Sequence, residues 1–267
     1  MLTIQNYVQA QSLQEAYELN QKKRNRIVGG MLWLRTSHFS VATAIDLCQL
    51  GLDTIEETEE AFSIGAMVSL RQLENHEALN AYSKGAVAKA VQDIVGVQFR
   101  NMATVGGSIY GRFGFSDVLT VFLAMDTYVE LYQGGIMPLE QFVSMKRNRD
   151  ILVRIIVKKA PAAVVYQAMR NARTDFPVLT CAVSRISGEY RAVIGARPGV
   201  ARVLRDSESI LAAGLHDETI KAFAQWASAQ IPTGSNTRGS AAYRSRLVRV
   251  LTERALTELE GGANHGD

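Results

Sequence analysis

Hydrophobic residues recur at helical spacing in several parts of the chain. Apolar positions repeat over residues 87–97 and again over residues 241–259, which predicts one helix in each region. Near the N-terminus, Ser12 and Glu15 form the pattern of a capping box, so a helix is expected from residue 13 to about residue 22. These patterns place helices in the first, middle and last parts of the chain.

Shorter apolar and β-branched runs between the helices have the period of strands. Strands are predicted over residues 26–30, 63–69, 127–132 and 151–157, with a hairpin turn at residues 134–135. A Lys-Lys-Ala-Pro sequence at residues 158–161 is a plausible boundary between two structural units. Three further strand candidates follow it, at residues 164–169, 178–184 and 190–196. The sequence therefore predicts a larger N-terminal unit followed by a smaller unit of sheet and helices.

Pairs of adjacent glycines stand at residues 29–30 and 106–107. Thr104 precedes the second pair and Ser108 follows it. Each pair comes after an apolar or β-branched lead-in, which predicts a position at the end of a strand. Glycine lets the backbone approach a ligand closely, and turn amides with flanking hydroxyls hold phosphates. The two turns suit the two phosphates of one dinucleotide; the alternative is that both are tight turns only.

The composition and net charge of the chain are typical of a soluble globular protein. The 267 residues are 47% hydrophobic and 21% charged, with a net charge of +3, as in ordinary soluble globular proteins. Basic residues are scattered until the C-terminal region, so nucleic-acid binding is not inferred. The N-terminus has no apolar signal-peptide core, and no apolar run reaches the ~20 residues that a membrane helix needs.

Cysteine and histidine usage argues against a metal centre carried by this chain. Cys48 and Cys181 each lie in an apolar run, which favours buried free thiols in a reducing cytoplasm over a disulfide. No cysteine-rich motif for an iron–sulfur cluster is present. The four histidines share no metal-ligand spacing and are expected at the surface: His38, His76, His216 and His265.

Several of these segments, taken in order, resemble the flavin-binding medium subunit of the molybdenum hydroxylases, the family of xanthine dehydrogenase and carbon monoxide dehydrogenase. They are Ile-Val-Gly-Gly at residues 27–30, Ser-Ile-Gly-Ala at 63–66, residues 98–109 with Arg-Asn-Met-Ala-Thr-Val-Gly-Gly-Ser, and Arg-Gly-Ser-Ala-Ala-Tyr-Arg at 238–244. A Ser-Asp pair at Ser116 and Asp117 also matches. The likeness spans nearly the whole chain.

The resemblance implies an α+β fold. A PCMH-type FAD-binding domain of two subdomains would occupy residues 1–158, divided at about residue 55, with the dinucleotide between the subdomains. A small sheet-and-helix domain of the carbon monoxide dehydrogenase flavoprotein type would follow at residues 159–262, and residues 263–267 would form a tail.

The resemblance also implies an activity and partners. The chain would be an oxidoreductase subunit that carries FAD, takes electrons from a 2Fe-2S small subunit and passes them to NAD or another acceptor. A molybdopterin-binding large subunit would oxidise the substrate, with xanthine as the guess by analogy. The family assembles as a heterotrimer, often doubled. No NAD motif is recognisable in the chain, and no side chain is needed as nucleophile or base.

Carried over residue by residue, the first glycine turn is expected to wrap the FAD pyrophosphate. The second glycine turn, at residues 104–108, is expected to meet the same FAD through amides and hydroxyls. Asp117 is expected to accept a ribityl or ribose hydroxyl, and Leu152 to pack near the flavin ring. Tyr166 lies at a position that often touches the cofactor in relatives. The expected cofactor-binding residues are Ile27, Val28, Gly29, Gly30, Met31, Leu32, Thr104, Gly106, Gly107, Ser108, Asp117 and Leu152.

Each of these roles has a simpler alternative. Asp117 could cap the helix that begins near Val118, and Leu152 and Tyr166 could be core or sheet residues only. Arg100 and Asn101 are expected to fix their loop rather than to contact the substrate. Arg238 and Arg244 are expected to pin the last helix or an interface rather than take part in chemistry.

One departure from the family pattern bears on function. Relatives usually carry a hydroxyl or acidic residue after the first glycine pair, and this chain has Met31 and Leu32. Losing a hydroxyl bond to a phosphate would cost about 1.5–3 kcal/mol, although backbone amides would still hold the pyrophosphate. The alternative function is therefore an interaction or scaffold subunit that kept the FAD-binding fold and lost the flavin.

Overall fold

The structure is a computed structural model that describes residues 1–263. It contains two compact units that are interleaved along the chain. The first comprises Met1–Leu73, Gly96–Gly111 and Thr127–Lys158, and the second comprises Glu74–Val95, Arg112–Asp126 and the chain from Lys159 onward. Residues 264–267, which include His265 and most of the predicted tail, lie outside the described residues. The predicted domain boundaries stay predictions.

The described chain mixes short strands with short and long helices, as expected for an α+β fold. The strands are β1 (Thr3–Gln9), β2 (Arg26–Val28), β3 (Ser40–Asp46), β4 (Ile55–Glu57), β5 (Ala61–Gly65), β6 (Thr127–Leu131), β7 (Gly135–Pro138), β8 (Leu152–Lys158), β9 (Ala162–Arg170), β10 (Pro177–Ile186), β11 (Glu189–Gly195) and β12 (Arg202–Arg205). The helices are α1 (Leu13–Asn20), α2 (Leu70–Asn75), α3 (Glu77–Tyr82), α4 (Ala86–Val91), α5 (Val97–Met102), α6 (Val105–Tyr110), α7 (Asp117–Leu123), α8 (Leu139–Ser144), α9 (Asp217–Gln230) and α10 (Ala241–Ala263).

The first unit contains a three-stranded parallel sheet in the order β1-β3-β2. Helix α1 begins as the capping box predicts, because the hydroxyl of Ser12 accepts from the amide of Glu15 at 3.1 Å. The Glu15 carboxylate accepts from the amide of Gln11 at 2.8 Å. Ala16 on this helix packs with Ile45 of β3 in one buried cluster, and this packing holds the sheet against α1.

The first unit also contains a five-stranded antiparallel sheet in the order β4-β5-β8-β6-β7. The predicted hairpin at residues 134–135 is confirmed, since β6 pairs with β7 across it and Gly135 has a φ of 66°. Strand β8 lies at the centre, where both of its edges are paired, and its apolar residues Ile155 and Val157 are fully buried.

The second unit contains a four-stranded antiparallel sheet in the order β12-β11-β10-β9, and α10 packs on β9 and β10. Arg244 at the start of α10 is buried and donates to the carbonyls of Val178, Gly234 and Gly239 and to Asn236 Oδ1, at 2.5–2.9 Å. The prediction that this arginine pins the last helix is confirmed.

The predicted helix over residues 87–97 is wrong in its second half. Helix α4 ends at Val91, and α5 begins only at Val97. Between them Val95 has a φ of 51°, and Gly96 is in an extended conformation at the N-cap of α5. A β-branched residue at positive φ cannot continue a right-handed helix, so the apolar period runs across a break in the backbone.

The two cysteines differ in environment. Both are free; Cys181 is buried, as predicted, whereas Cys48 is exposed, so the prediction of a buried thiol there is wrong. Strand β3 ends at Asp46, and the chain turns outward with the amide of Cys48 donating to Asp46 Oδ1 at 2.9 Å. Within residues 1–263, no helix has the length and apolar character needed to cross a membrane.

Candidate functional site

The first glycine pair lies at the carboxyl edge of the parallel sheet. Strand β2 ends at Val28, whose partner in β3 is the last residue of that strand, Asp46. Gly29 and Gly30 follow at once, with Gly29 exposed to solvent. Open α/β sheets bind ligands outside the carboxyl ends of their strands, and the first glycine pair has that position, as the sequence predicts.

Four successive backbone amides in this turn have no acceptor within the described chain. The N–H groups of Gly29, Gly30, Met31 and Leu32 donate no hydrogen bond to another described residue. Met31 has a left-handed φ of 58°, and such residues occur in the anion-binding concavities that successive amides form. Successive backbone amides without a protein acceptor can bind an anion directly, so these four, which we call the amide cradle, are suited to an anionic ligand.

The glycines of the cradle are needed because another part of the first unit lies directly against them. A Cβ on Gly30 would lie 1.8 Å from the carbonyl oxygen of Met102. A Cβ on Gly29 would lie 2.7 Å from Thr104 Oγ1. Real Cβ atoms do not approach other atoms so closely, so residues 102–104 form one wall of the cradle. Only glycine fits at position 30, against the backbone, whereas a Cβ at position 29 would require the Thr104 side chain to shift.

The second glycine pair is not at the end of a strand, and that prediction is wrong. Gly106 and Gly107 lie in the first turn of α6, and Thr104 is its N-cap. Thr104 Oγ1 accepts from the amide of Gly107 at 3.1 Å, and the amide of Gly106 donates to the carbonyl of Ala66 at 2.8 Å. A threonine directly before an apolar run is an N-cap signal, so the sequence contained a clue to this helix.

Residues 63–66 lie against the start of helix α6 in the first unit. A Cβ on Gly106 would lie 2.6 Å from the carbonyl oxygen of Ala66 and 2.8 Å from its Cβ. The amide of Val105 donates to the carbonyl of Val68 at 2.8 Å. The structure therefore brings together three segments that are distant in sequence, at residues 27–30, 63–66 and 98–109.

The remaining predicted residues of the first unit are mostly packed. Leu152 is the first residue of β8, is buried and lies opposite Leu131 of β6. Its neighbour Val153 accepts from the amide of Ala66 at 2.9 Å, which joins β8 to the segment under α6. Ser108 donates to the carbonyl of Thr104 at 3.0 Å, and Ile27 and Val28 belong to β2.

Asp117 lies in the second unit, at the first residue of α7. Its carboxylate is buried, and Oδ1 accepts from the hydroxyl of Tyr166 and from Nη2 of Arg170, the latter at 2.6 Å. The cap of α7 is Ser116, whose hydroxyl accepts from the amide of Leu119 at 3.0 Å. The alternative that the Asp117 side chain caps this helix is therefore wrong.

Burial dominates the ionisation of this cluster. It raises the pKa of Asp117 to about 6, although the charge of Arg170 and the hydrogen bond from Tyr166 both act in the opposite direction. Burial also raises the pKa of Tyr166 well above its usual value, so its hydroxyl stays protonated and remains a donor. Sequence reasoning missed Arg170; its spacing of four residues from Tyr166 on one strand, which puts both on one face, was the available signal.

Three aromatic side chains of the second unit pack against one another. The rings of Phe113 and Phe115 are stacked at 5.1 Å, and Phe176 meets Phe115 edge-on at 4.6 Å. The guanidinium of Arg238 lies 4.6 Å from the centre of the Phe176 ring. Arg238 therefore packs within its own unit, as expected for a structural role.

Potential metal ligands do not gather anywhere in residues 1–263: no group of three or more His, Cys, Asp or Glu side chains could hold an ion. Of the histidines, His38 and His216 are exposed. His76 caps α3, with Nδ1 accepting from the amide of Leu79 at 3.1 Å.

Comparison with protein families gives two matches that together cover most of the chain. Residues 2–159 match the FAD binding domain in molybdopterin dehydrogenase. Residues 164–259 match the CO dehydrogenase flavoprotein C-terminal domain.

Individual relatives agree with these matches. The chain is 26% identical to the glyceraldehyde dehydrogenase medium chain of Sulfolobus acidocaldarius, over 95% of this chain and 98% of that protein. It is also 26% identical to the xanthine dehydrogenase FAD-binding subunit of Escherichia coli O157:H7, over 82% of this chain and 80% of that one. Among solved structures, a chain of the reconstituted CO dehydrogenase from Oligotropha carboxidovorans has the same fold, with a TM-score of 0.86 at 20% identity, over 97% and 98% of the two chains.

Proposed function

The chain belongs to the family of FAD binding domains in molybdopterin dehydrogenases, and we propose that it is the FAD-carrying electron-transfer subunit of a xanthine dehydrogenase-like molybdenum hydroxylase. In this role it accepts electrons from a 2Fe-2S small subunit and passes them to NAD or another acceptor. A molybdopterin-binding large subunit oxidises the substrate, and the three subunits form a heterotrimer in the cytoplasm.

The observation that carries the proposal is the amide cradle. Its four unpaired N–H groups suit the pyrophosphate of FAD, because such amides bind anionic oxygens directly. The departure from the family at Met31 and Leu32 leaves this contact intact, because the N–H groups belong to the backbone. Leu32 is only 8% exposed, and its side chain belongs to the core. The residues present therefore fit the cofactor.

The second glycine turn, at residues 104–108, is proposed to support the cofactor differently from the amide cradle. Thr104 Oγ1 already accepts from the amide of Gly107, and its hydroxyl proton is the group that we assign to a phosphate oxygen. Gly106 and Ser108 give close packing beneath it, and exposed Gly107 leaves the surface open to a ligand. We further propose that Asp117 accepts a hydroxyl of the ribityl or ribose, and that Leu152 packs near the flavin ring.

Bound FAD supplies the redox chemistry, since a flavin can take up an electron pair and release it again. The chain binds the pyrophosphate, orients the ring system and keeps its own side chains out of covalent chemistry. No residue is assigned as nucleophile or general base.

The proposal is tested by binding and then by electron transfer. The purified chain is titrated with FAD, FMN and riboflavin, and flavin fluorescence is followed. Tight uptake of FAD at one per chain is expected, with much weaker uptake of riboflavin because riboflavin lacks the phosphates. A chain that is colourless and takes up no added FAD contradicts the proposal and favours the scaffold alternative.

The second step uses partners. The chain is expressed with a tag, and its co-purifying subunits are analysed for molybdenum and for a 2Fe-2S cluster. Reduction of the bound FAD by the reduced cluster subunit is expected. If FAD binds tightly but no molybdenum subunit associates, the chain works with a different oxidoreductase partner.

A further inference from the structure

The four-stranded sheet of the second unit carries two neighbouring polar atoms that the described chain does not satisfy. Ser184 of β10 and Arg191 of β11 are directly opposite each other in the antiparallel ladder. Ser184 is fully buried, and neither its Oγ nor Nε of Arg191 has a hydrogen-bond partner within residues 1–263. Buried polar atoms are nearly always paired, so two orphaned neighbours point to a bound ion or water.

Both side chains lie on the α7 side of the sheet. Val183, next to Ser184, belongs to the buried cluster that includes residues of α10, and successive side chains of a strand point to opposite faces. Thr180 shares the face of Ser184, and its Oγ1 lies 2.9 Å from Oγ1 of Thr120 in α7. Ser184 and its cross-strand neighbour Arg191 therefore point away from α10.

A second positive charge lies across the ladder from Arg191. Its partner in β12 is Arg205, which is exposed, and like charges directly opposite each other destabilise a sheet. The side chain of Arg191 forms no ion pair with a described residue, not even with exposed Glu189 two residues away on the same strand. Arg205 has a further interaction within the chain, so it contributes mainly its charge. An anion between the two guanidinium groups would turn their repulsion into attraction.

We propose that Ser184, Arg191 and Arg205 form a binding site for an oxyanion of the phosphate or sulfate class, separate from the proposed FAD site. The Ser184 hydroxyl and the Arg191 guanidinium donate hydrogen bonds, and Arg205 supplies the second charge. Guanidinium groups match the oxygens of a phosphate with parallel N–H donors, and a phosphate has further acceptor oxygens for a hydroxyl. All three residues belong to the second unit, whereas the amide cradle belongs to the first.

The test uses inorganic phosphate as the probe. The chain is saturated with FAD, so that the cradle is occupied, and is titrated with phosphate by calorimetry at an ionic strength held constant with sodium chloride. Wild type is expected to bind one phosphate with a dissociation constant of about 1 mM. Arg191→Met is expected to weaken this binding about tenfold, through the loss of a charge-assisted bond.

Arg202→Met is the matched control. Arg202 is an exposed arginine of the same strand as Arg205, but it pairs with Ile194, which belongs to the cluster on the α10 side. Its removal changes the net charge by the same amount as Arg191→Met and leaves the proposed site intact. The control variant is therefore expected to bind phosphate as wild type does.

Ser184→Ala is expected to change stability and binding in opposite directions. A buried hydroxyl without a partner is costly, so the variant is expected to have a higher Tm than wild type in phosphate-free chloride buffer. Its affinity for phosphate is expected to be about fivefold weaker, the effect of one hydrogen bond. A serine with only a structural role would leave the affinity unchanged.

Three results would overturn the inference. The first is wild type without saturable phosphate binding, and the second is an Arg202→Met variant weakened as much as Arg191→Met, which would indicate a general charge effect. The third is a Ser184→Ala variant with wild-type affinity. Circular dichroism checks folding, and Arg191→Lys replaces the Met variant if that one does not fold; because lysine lacks the planar fork, a loss of about threefold is expected.

The outcomes keep this inference apart from the proposed function. If wild type binds no FAD, the proposed function fails, and the same variants titrated without FAD still decide the phosphate site. If wild type binds FAD and the Arg191 and Ser184 variants bind phosphate as wild type does, only the oxyanion site fails.

Discussion

The two glycine pairs have the same sequence and opposite uses. At residues 29–30 the amides donate to nothing in the described chain, so they are available to a ligand. At residues 106–107 the amides are already used, by the carbonyl of Ala66 and by Thr104 Oγ1. The first pair therefore offers donors, whereas the second builds the support beneath them. A Gly-Gly motif by itself does not distinguish these uses; the hydrogen-bond partners do.

In both glycine pairs, atoms of another residue lie close to the glycine backbone, and none of the four glycines needs an unusual φ angle. None of the four glycines has a φ in the left-handed region, and the left-handed residue of the cradle is Met31. A Cβ on Gly29, Gly30 or Gly106 would collide with a neighbouring segment, whereas a Cβ on Gly107 would meet only Thr104 Oγ1, at 3.0 Å. The absent side chain is thus used for packing in both places, and the free amides are an additional property of the first pair.

The largest effect is expected for Gly30→Ala. Its Cβ would lie 1.8 Å from the backbone oxygen of Met102, which cannot move without shifting α5. Overpacking against backbone costs about 3 kcal/mol or more of unfolding free energy. Urea unfolding measures it, with Gly107→Ala as the matched control, because the Cβ there would meet only the Thr104 hydroxyl, at 3.0 Å. Equal stability of the two variants would show that the close approach at Gly30 does not exist.

Gly106→Ala is expected to separate stability from binding. A Cβ there would lie 2.6 Å from the Ala66 carbonyl oxygen, so a loss of about 2–3 kcal/mol in unfolding free energy is expected. Since the amide of Gly106 is already used inside the protein, the folded variant is expected to bind FAD with an unchanged dissociation constant. A large loss of affinity in the folded fraction would contradict the contrast between the two pairs.

Gly29→Ala is expected to show the reverse pattern. Its Cβ would meet Thr104 Oγ1 at 2.7 Å, a side-chain atom that can rotate away, so the stability loss is about 1–2 kcal/mol. FAD affinity is expected to fall about tenfold, because the cradle and the Thr104 hydroxyl are both disturbed. In a Thr104→Ala background the added methyl has room, so the further loss of stability from Gly29→Ala is expected to shrink. Strict additivity of the two changes would argue against this contact.

The smallest effect concerns pH. Backbone amides do not titrate, so the proposed contact between the cradle and FAD is expected to be independent of pH, whereas the Asp117 carboxyl, which we propose as an acceptor for a hydroxyl of FAD, has a pKa of about 6. As pH falls through this value the carboxylate is protonated and its charge-assisted bond weakens. FAD affinity is therefore expected to drop about threefold to fivefold between pH 7.5 and pH 5. The dissociation constant measured across this range checks it, and the Asp117→Asn variant is expected to show no such step.

Local features of the chain were predictable because their causes are local. Ser12 and Glu15 indicate where α1 begins, and the glycines at residues 134–135 allow the hairpin between β6 and β7. The strand before Gly29 was likewise evident from its apolar lead-in. The pairing of Arg170 with Asp117 joins residues that are distant in sequence, so it was not predictable in this way. The exposure of Cys48 and the left-handed Val95 were not predicted either, because the apolar pattern around each residue favoured a buried thiol and a continuous helix.

The sequence by itself determined which segments form the family pattern, where strand β2 stops, and that the glycines have no side chains to obstruct a ligand. Only the tertiary structure decided which amides remain free. The acceptor for the amide of Gly106 comes from Ala66, forty residues earlier in the chain, while no segment within residues 1–263 supplies an acceptor to the amides of residues 29–32. A hydrogen bond needs both partners in place, and the second partner is set by folding, so a site made of unpaired donors becomes visible only when the chain is folded.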